Sequence, residues 1–206
     1  MYVYRRIIAR QTFPYKKLVV DIGANDGILS SNSYNFIQLG WDAILVEPQS
    51  SQMNLAKQNL KRYIHPHSEH GQKVDFVQAV LGMKNDMVDF VIKPDLVSME
   101  SHVYNENSTN FDTSSMTMIK VQSLTVKTFT EKYKIPKHFG VLSIDAEGSS
   151  FQILHQWLKL GYRPAYIICE ILHERRKDNI EMLNYDYKLL GMRGWNLLFE
   201  HSYQKK

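Results

Sequence analysis

Acidic side chains and one histidine follow four short apolar segments of this 206-residue chain. Each of these segments has the length and composition of a buried parallel strand. Ligands of open parallel sheets bind beyond the carboxyl ends of the strands, so we expect the polar groups there to form one site. These groups are Asp21, Glu47, Asp145, Glu147, Glu170 and His173.

A turn with two glycines, residues 23–27, follows the first apolar segment and is called the glycine turn below. Gly23 and Gly27 permit a tight backbone path and the close approach of a ligand. Their spacing, Gly-x-x-x-Gly, matches neither the dinucleotide fingerprint Gly-x-Gly-x-x-Gly nor the Gly-Lys-Ser/Thr of a phosphate loop. We therefore expect a nucleoside ligand without a phosphate. Glu47 ends the next strand, where an acid would hydrogen-bond ribose hydroxyls.

The apolar segments alternate with helical patterns, which predicts an α/β fold with a parallel sheet and helices on both faces. The predicted strands are Leu18–Asp21, Ala43–Glu47, Val74–Leu81, Val88–Ile92, Ile119–Val126, Phe139–Ile144, Ala165–Glu170 and Trp195–Glu200. The predicted helices run from Leu29 to Leu39, from Ser50 to Arg62, from Ser149 or Ser150 to the residue before Gly161, and from Asp178 to Leu190.

The length predicts a single domain over residues 1–206, with residues 1–17 as an N-terminal extension. Between Ser101 and Thr117, ten of seventeen residues are Ser, Thr or Asn, a composition too polar to pack into a core. We expect this segment to be a lid or an acceptor-selecting loop, with plain surface disorder as the alternative. The only cysteine, Cys169, lies in an apolar run, which predicts a buried thiol and excludes an intramolecular disulfide.

Charge and hydropathy bear on the possible partners. The net charge of +4 is scattered rather than gathered into a basic stripe with aromatics, so we expect no nucleic-acid partner. No segment approaches the ~18 apolar residues of a membrane span, and arginines interrupt the N-terminal residues where a signal peptide is apolar. We therefore expect a soluble, cytoplasmic protein with no membrane partner.

A cluster of possible metal ligands lies between the second predicted helix and the third strand. It consists of His65, His67, Glu69 and His70. Three histidines and a glutamate within six residues could bind a transition metal. The segment falls on the far side of the sheet from the strand ends, however, so we interpret it as a solvated loop and assign no metal site.

Three segments of the chain carry a recognisable family pattern: residues 21–27 with the following Ser30–Ser33, Val46–Pro48, and Leu142–Gly148. Together they resemble the FkbM family of S-adenosylmethionine-dependent methyltransferases. The resemblance covers roughly Leu18 to Gly194. It implies a Rossmann-like methyltransferase fold with an antiparallel edge strand, S-adenosylmethionine as the cofactor, and O-methylation of a hydroxyl on a sugar or another small acceptor. The cofactor-binding residues it implies are Asp21, Gly23, Ala24, Asn25, Gly27, Glu47 and Pro48, with Glu47 on the ribose.

The chain departs from the family pattern in two places. The segment Gln78–Gly82 lacks the acidic residue that many methyltransferases place near the adenine. Only one strand is predicted after the last helix, where the full fold has a pair, so we expect a trimmed sheet edge.

Methyl transfer to an alcohol needs a group that accepts the hydroxyl proton, a role that a carboxylate or a histidine can fill. The candidates near the predicted cleft are Asp145, Glu147, Glu170 and His173. Histidine has an unperturbed pKa of ~6.5, against ~3.9 for aspartate, so we assign His173 as the base and Asp145 as an orienting carboxylate. The reversed assignment remains an alternative, and each candidate also has a structural explanation as a helix cap, surface acid, ion-pair partner or loop histidine.

Two other functions remain open from the sequence. One is a non-catalytic module that keeps the methyltransferase fold and binds a ligand or a partner, which the intact glycine turn and Glu47 disfavour. The other is a nicotinamide-dependent oxidoreductase, which the missing Gly-x-Gly-x-x-Gly disfavours.

Overall fold

A sheet of seven strands forms the centre of the computed structural model, which describes residues 2–9, 14–29, 31–65, 71–92, 102–103, 117–171 and 185–202. Its strands are β1 (Lys16–Ile22), β2 (Asp42–Val46), β3 (Val74–Val77), β8 (Phe139–Ile144), β9 (Tyr166–Glu170), β10 (Tyr187–Arg193) and β11 (Asn196–His201). They lie in the order β10-β11-β9-β8-β1-β2-β3. The five strands from β9 to β3 are parallel, and β11 and β10 add antiparallel pairs at one edge.

Four further strands form a second, smaller sheet. They are β4 (Val80–Gly82), β5 (Asp86–Ile92), β6 (His102–Val103) and β7 (Thr117–Thr125), in the order β4-β7-β5-β6. Val80, Phe90 and Val121 make a small buried core for this sheet. The predicted strands Val88–Ile92 and Ile119–Val126 are therefore present, but they belong to a sheet that the sequence pattern did not separate from the first.

Helices cover both faces of the larger sheet. They are α1 (Tyr2–Ile8), α2 (Tyr34–Gln38), α3 (Ser50–Leu60), α4 (Val126–Lys132) and α5 (Ser150–Lys159). Alternate residues of a strand face opposite sides of a sheet, so Val20 and Ile22 share a core with α4 and α5, whereas Val19 shares one with α1 and α2. The predicted α/β fold with a mostly parallel sheet and an antiparallel edge is confirmed.

The order of the strands places the ligand-binding edge at β1. From β1 the chain passes to β2 and β3 on one side, and it later returns to β8 and β9 on the other side. Asp21 pairs with Leu45 of β2 and with Ser143 of β8, so the carboxyl ends of the three strands are level. Such a switch in strand order leaves a crevice at the carboxyl edge, which is where parallel sheets bind ligands.

The helix predicted from Asp178 to Leu190 is wrong over its last residues, because Tyr187–Arg193 is strand β10. Tyr187 is buried, and its hydroxyl donates a hydrogen bond of 2.6 Å to the carbonyl oxygen of Pro164. Pairing with β11 therefore outweighs the local helical pattern. The sheet edge is consequently not trimmed, since β10 and β11 supply the pair of strands that the prediction lacked.

Two other predicted elements have different bounds in the structure, and part of the predicted N-terminal extension is helical. The single predicted strand Val74–Leu81 divides into β3, which pairs with β2, and β4, which pairs with β7. The helix predicted over Leu29–Leu39 is reduced to the five residues of α2. Residues 1–17 contain α1, whose Val3 and Ile7 are buried, and the start of β1. Most of the predicted lid, Ser101–Thr117, lies outside the described residues.

None of the helices described is long and apolar enough to cross a membrane.

Candidate functional site

The glycine turn contains three residues in the left-handed conformation and contacts the ends of two neighbouring strands. Gly23, Asn25 and Gly27 have φ values of 81°, 49° and 77°. The amides of Gly23 and Ala24 donate hydrogen bonds of 2.9 and 3.1 Å to the carbonyl oxygen of Val46, at the end of β2. On the other side, a Cβ atom at Gly23 would overlap the carbonyl oxygen of Asp145. Position 23 thus needs glycine both for its conformation and for the close approach of β8.

Glu47 is a buried carboxylate at the end of β2, directly beside the glycine turn. Its Oε2 accepts a hydrogen bond of 3.1 Å from the amide of Asn25, and its Oε1 accepts one of 2.9 Å from the amide of Gln49. Burial raises the pKa of Glu47 to about 7, although these two hydrogen bonds favour the ionised form. Each oxygen has a second lone pair, so the carboxylate fits the paired hydroxyls of a ribose. Pro48, also buried, follows it.

Asp21 is a buried carboxylate at the end of β1, and only 2% of its surface is exposed. Burial raises the pKa of Asp21 to about 6, against hydrogen bonds from Ser33 and Ser143 that favour the ionised form. Its Oδ2 has no hydrogen-bond partner in the described part of the chain. An unpaired buried carboxylate oxygen suits a positively charged ligand group.

Asp145, Glu147 and Glu170, called the acid cluster below, meet at the ends of β8 and β9. One carboxylate oxygen from each residue lies within 4.8 Å of the other two. Asp145 and Glu170 share a hydrogen bond, and Ser150 bonds to Glu170. Burial raises the pKa of Asp145. Burial and then the charges of Asp145 and Glu147 raise the pKa of Glu170 to about 8. The cluster therefore holds a proton near neutral pH.

The acid cluster and the glycine turn are in direct contact. The amide of Asp145 donates a hydrogen bond of 2.8 Å to the carbonyl oxygen of Ile22, and the carbonyl group of Asp145 packs on Gly23. The structure thus brings the candidate cofactor residues together with three of the four candidate catalytic residues. The fourth, His173, lies outside the described residues, as do residues 66–70 of the histidine-rich loop.

Sequence reasoning did not assign a role to the hydroxyl and amide side chains that form a hydrogen-bond network with Asp21. Ser33 and Ser143 are fully buried and bond to Asp21, and the Nδ2 of Asn32 donates a hydrogen bond of 3.1 Å to the Oγ of Ser143. One signal was available, because Ser143 is a polar residue within the apolar run that leads to Asp145. Cys169 is buried as predicted, and burial raises the pKa of its thiol well above the usual range.

Trp195 is a second residue that the sequence did not single out. Its carbonyl oxygen accepts a hydrogen bond of 2.8 Å from the amide of Ile171, the residue after Glu170. More than half of its surface, 55%, is exposed. An exposed aromatic residue therefore belongs to the turn between β10 and β11, whose backbone is hydrogen-bonded to the residue after Glu170.

A surface groove of about 610 Å³ is lined by Ile28, Gln58, Asn59, Lys61 and Arg62, and it contains none of the candidate site residues.

The family model described as the methyltransferase FkbM domain matches residues 21–201 of the chain. The chain belongs to this family. The match confirms the family expected from the glycine turn and the segment around Asp145, and S-adenosylmethionine is the cofactor that this membership implies. The buried Glu47 and the unpaired oxygen of Asp21 fit such a cofactor, which carries ribose hydroxyls and an ammonium group.

Solved structures agree with the family assignment at the level of the fold. A methyltransferase FkbM from Methylobacillus flagellatus KT matches with a TM-score of 0.57 and 17% identity, over 96% of this chain and 46% of that one. A METTL16 MTase domain matches with a TM-score of 0.51 and 13% identity, over 98% of this chain and 66% of that one. The chain thus spans about half the length of the FkbM structure. None of the curated proteins compared matches it significantly.

Proposed function

We propose that this chain catalyses S-adenosylmethionine-dependent methyl transfer to a hydroxyl oxygen of a small acceptor of the carbohydrate class. The observation that carries the proposal is the contact between the glycine turn and Asp145. It joins a surface suited to a nucleoside cofactor to a group of carboxylates suited to an alcohol. The FkbM family membership supports the same reaction.

On the cofactor side, the chain contributes orientation rather than chemistry. The bound cofactor supplies an activated methyl group on a sulfonium. We expect Glu47 to accept hydrogen bonds from both ribose hydroxyls, with Gly23, Ala24, Asn25 and Gly27 forming the floor of the site. Such fixed placement of two reactants removes a large part of the entropic barrier to their reaction.

On the acceptor side, Asp145 and Glu170 are the groups that can hold a hydroxyl. Their carboxylates lie at the ends of the adjacent strands β8 and β9, and the amide of Asp145 is hydrogen-bonded to Ile22, the residue before the glycine turn. In the proposed reaction the acceptor oxygen forms a bond to the methyl carbon, the bond from that carbon to sulfur breaks, and the hydroxyl proton passes to an imidazole nitrogen of His173. A positioned base of this kind typically contributes ~10²–10⁴-fold to the rate. The assignment of His173 stays a prediction from the sequence.

The carbohydrate class rests on the kind of groups beside the acid cluster. Several carboxylates together can accept hydrogen bonds from neighbouring hydroxyls, which a sugar presents in pairs. The exposed indole of Trp195 offers an apolar surface on which one face of a sugar ring can pack.

The test measures cofactor binding and methyl transfer separately. Calorimetry with S-adenosylhomocysteine should detect binding, and labelled S-adenosylmethionine should methylate one or more acceptors in a panel of sugars and other alcohols. His173→Ala should lower kcat by ~10²-fold or more while leaving S-adenosylhomocysteine affinity nearly unchanged. Glu131→Gln, an exposed acid on α4, is the control and should behave as wild type.

Three results would change the proposal. If no S-adenosylhomocysteine binds, the cofactor assignment is wrong. Binding without transfer to any hydroxyl would favour the non-catalytic binding module instead. If His173→Ala turns over normally and Asp145→Asn does not, the base is Asp145.

A further inference from the structure

We propose that the acid cluster, Asp145, Glu147 and Glu170, binds one divalent cation of the Mg²⁺, Mn²⁺ or Ca²⁺ class. One oxygen from each side chain lies within 4.8 Å of the other two. Oxygens on opposite sides of such a cation, each about 2.0–2.6 Å from it, are ~4–5 Å apart, so a single ion can reach all three. Purely anionic oxygen ligands favour hard cations over metals that prefer nitrogen or sulfur.

The pairing of β8 with β9 explains why these residues meet. Ser143 pairs with Ile168 and Ile144 pairs with Cys169, so the next residues, Asp145 and Glu170, are level at the strand ends. Glu147 joins them because the chain turns back after Asp145, with left-handed conformations at Glu147 (φ 24°) and Gly148 (φ 83°). Three acids separated by up to 25 positions are thereby held by two rigid strands and one tight turn.

The unpaired oxygen of Asp21 indicates that a positive charge, either a metal ion or the ammonium group of the cofactor, belongs beside the cluster. Its side chain is 98% buried, and its Oδ2 has no hydrogen-bond partner among the described residues. Asp21 pairs with Ser143 of β8. Asp145 follows Ser143 by two residues and therefore lies on the same face of the sheet as Ser143 and Asp21. An unpaired oxygen buried at this position is costly unless a cation approaches it.

A cation would also relieve the repulsion inside the cluster. Three carboxylates within 4.8 Å of one another repel each other when they are ionised, and a bound divalent ion offsets that repulsion. On the acceptor side of the site, such an ion would hold and polarise the hydroxyl oxygen. This role rests on the proposed methyltransferase function, whereas the binding of the ion does not.

The experiment titrates chelator-treated protein with Mn²⁺ and follows free Mn²⁺ by electron paramagnetic resonance, without cofactor or acceptor. We expect one Mn²⁺ per chain, displaced by excess Mg²⁺ or Ca²⁺. Glu170→Gln should lower the affinity at least 10- to 100-fold, since even residues that merely support a metal ligand have effects of that size. Glu131→Gln removes an exposed acid of α4 that is not part of the cluster, and this variant should bind Mn²⁺ as wild type does.

Thermal unfolding separates loss of the ligand from loss of the fold. In chelator, Glu170→Gln should have a Tm close to that of wild type, because glutamine keeps the size of the side chain and can still form hydrogen bonds with Asp145 and Ser150. At the same concentration, Mn²⁺ should raise the Tm of wild type more than that of Glu170→Gln. If 1 mM Mn²⁺ does not bind the wild type, or binds it and Glu170→Gln equally, the proposed cation site is wrong.

Asp21→Asn distinguishes a metal ion from the ammonium group of the cofactor. If the unpaired oxygen serves the cluster, this variant should weaken Mn²⁺ binding, though less than Glu170→Gln does. If it weakens S-adenosylhomocysteine binding and leaves Mn²⁺ affinity unchanged, the argument from Asp21 is refuted. Methyl transfer that persists in chelator without any Mn²⁺ binding would overturn the cation site alone, whereas Mn²⁺ binding by a chain that binds no S-adenosylhomocysteine would overturn only the proposed function.

Discussion

Replacing Gly23 with alanine should damage both the fold and the cofactor site, and a second glycine provides a matched control. The φ values of Gly23 and Gly161 are 81° and 80°, so alanine is equally strained at the two positions. A Cβ atom at Gly161 would meet nothing within 4 Å, whereas one at Gly23 would overlap the carbonyl oxygen of Asp145. The difference between the two variants therefore isolates the close approach of the glycine turn to β8.

The left-handed conformation alone costs a residue with a Cβ atom ~1–2 kcal/mol, and overpacking adds ~1–3 kcal/mol. We expect Gly161→Ala to lose about 1–2 kcal/mol of unfolding free energy in urea, and Gly23→Ala about 2–5 kcal/mol, which a domain of ordinary stability survives. The turn and Asp145 must also separate by on the order of 1 Å, a displacement that can lower the rate ~10²-fold. Calorimetry should show weaker S-adenosylhomocysteine binding by Gly23→Ala alone. Equal stability loss in both variants, with wild-type binding, would refute the reasoning.

Three other regions of the site give measurable expectations. Burial raises the pKa of Glu47 to about 7, so the folded, ligand-free protein favours the protonated carboxyl. The stability that this group contributes should be fully present below the usual pKa of 4.5 and should be lost as pH rises through 7. The Tm of wild type should fall more over this range than that of Glu47→Gln. Ribose hydroxyls bind the ionised form, so S-adenosylhomocysteine affinity should weaken as pH falls below 7 in wild type. The S-adenosylhomocysteine affinity of Glu47→Gln should be about 10- to 150-fold lower near neutral pH. This affinity should also lack the pH dependence that the ionisation of Glu47 causes in wild type. Trp195→Ala should raise the acceptor KM without changing cofactor affinity, and an unchanged KM would remove Trp195 from the acceptor site. Ser143→Ala removes a hydrogen bond from the buried Asp21 and one from the partly buried Asn32, so urea unfolding should show a loss of about 1–3 kcal/mol.

The amino-acid sequence alone determined the family, the main strands and the positions of the acids along the chain. These features follow from local signals: apolar runs of strand length, the glycine turn after Asp21, and acids placed where the runs stop. Each signal lies within a few residues and depends little on what packs against it. For this reason the strands that end at Asp21, Glu47 and Glu170 agree closely with the structure.

Only the tertiary structure decided which groups meet. The predicted helix to Leu190 became β10 because pairing with β11 and burial of Tyr187 outweigh a weak local preference. Asn32 and Ser143 are 111 positions apart in the chain, yet they form part of one network beneath Asp21. Such contacts depend on strand order and register, which arise from the packing of the whole sheet and leave no periodic mark in the sequence. The convergence of three carboxylates within 4.8 Å of one another has the same origin.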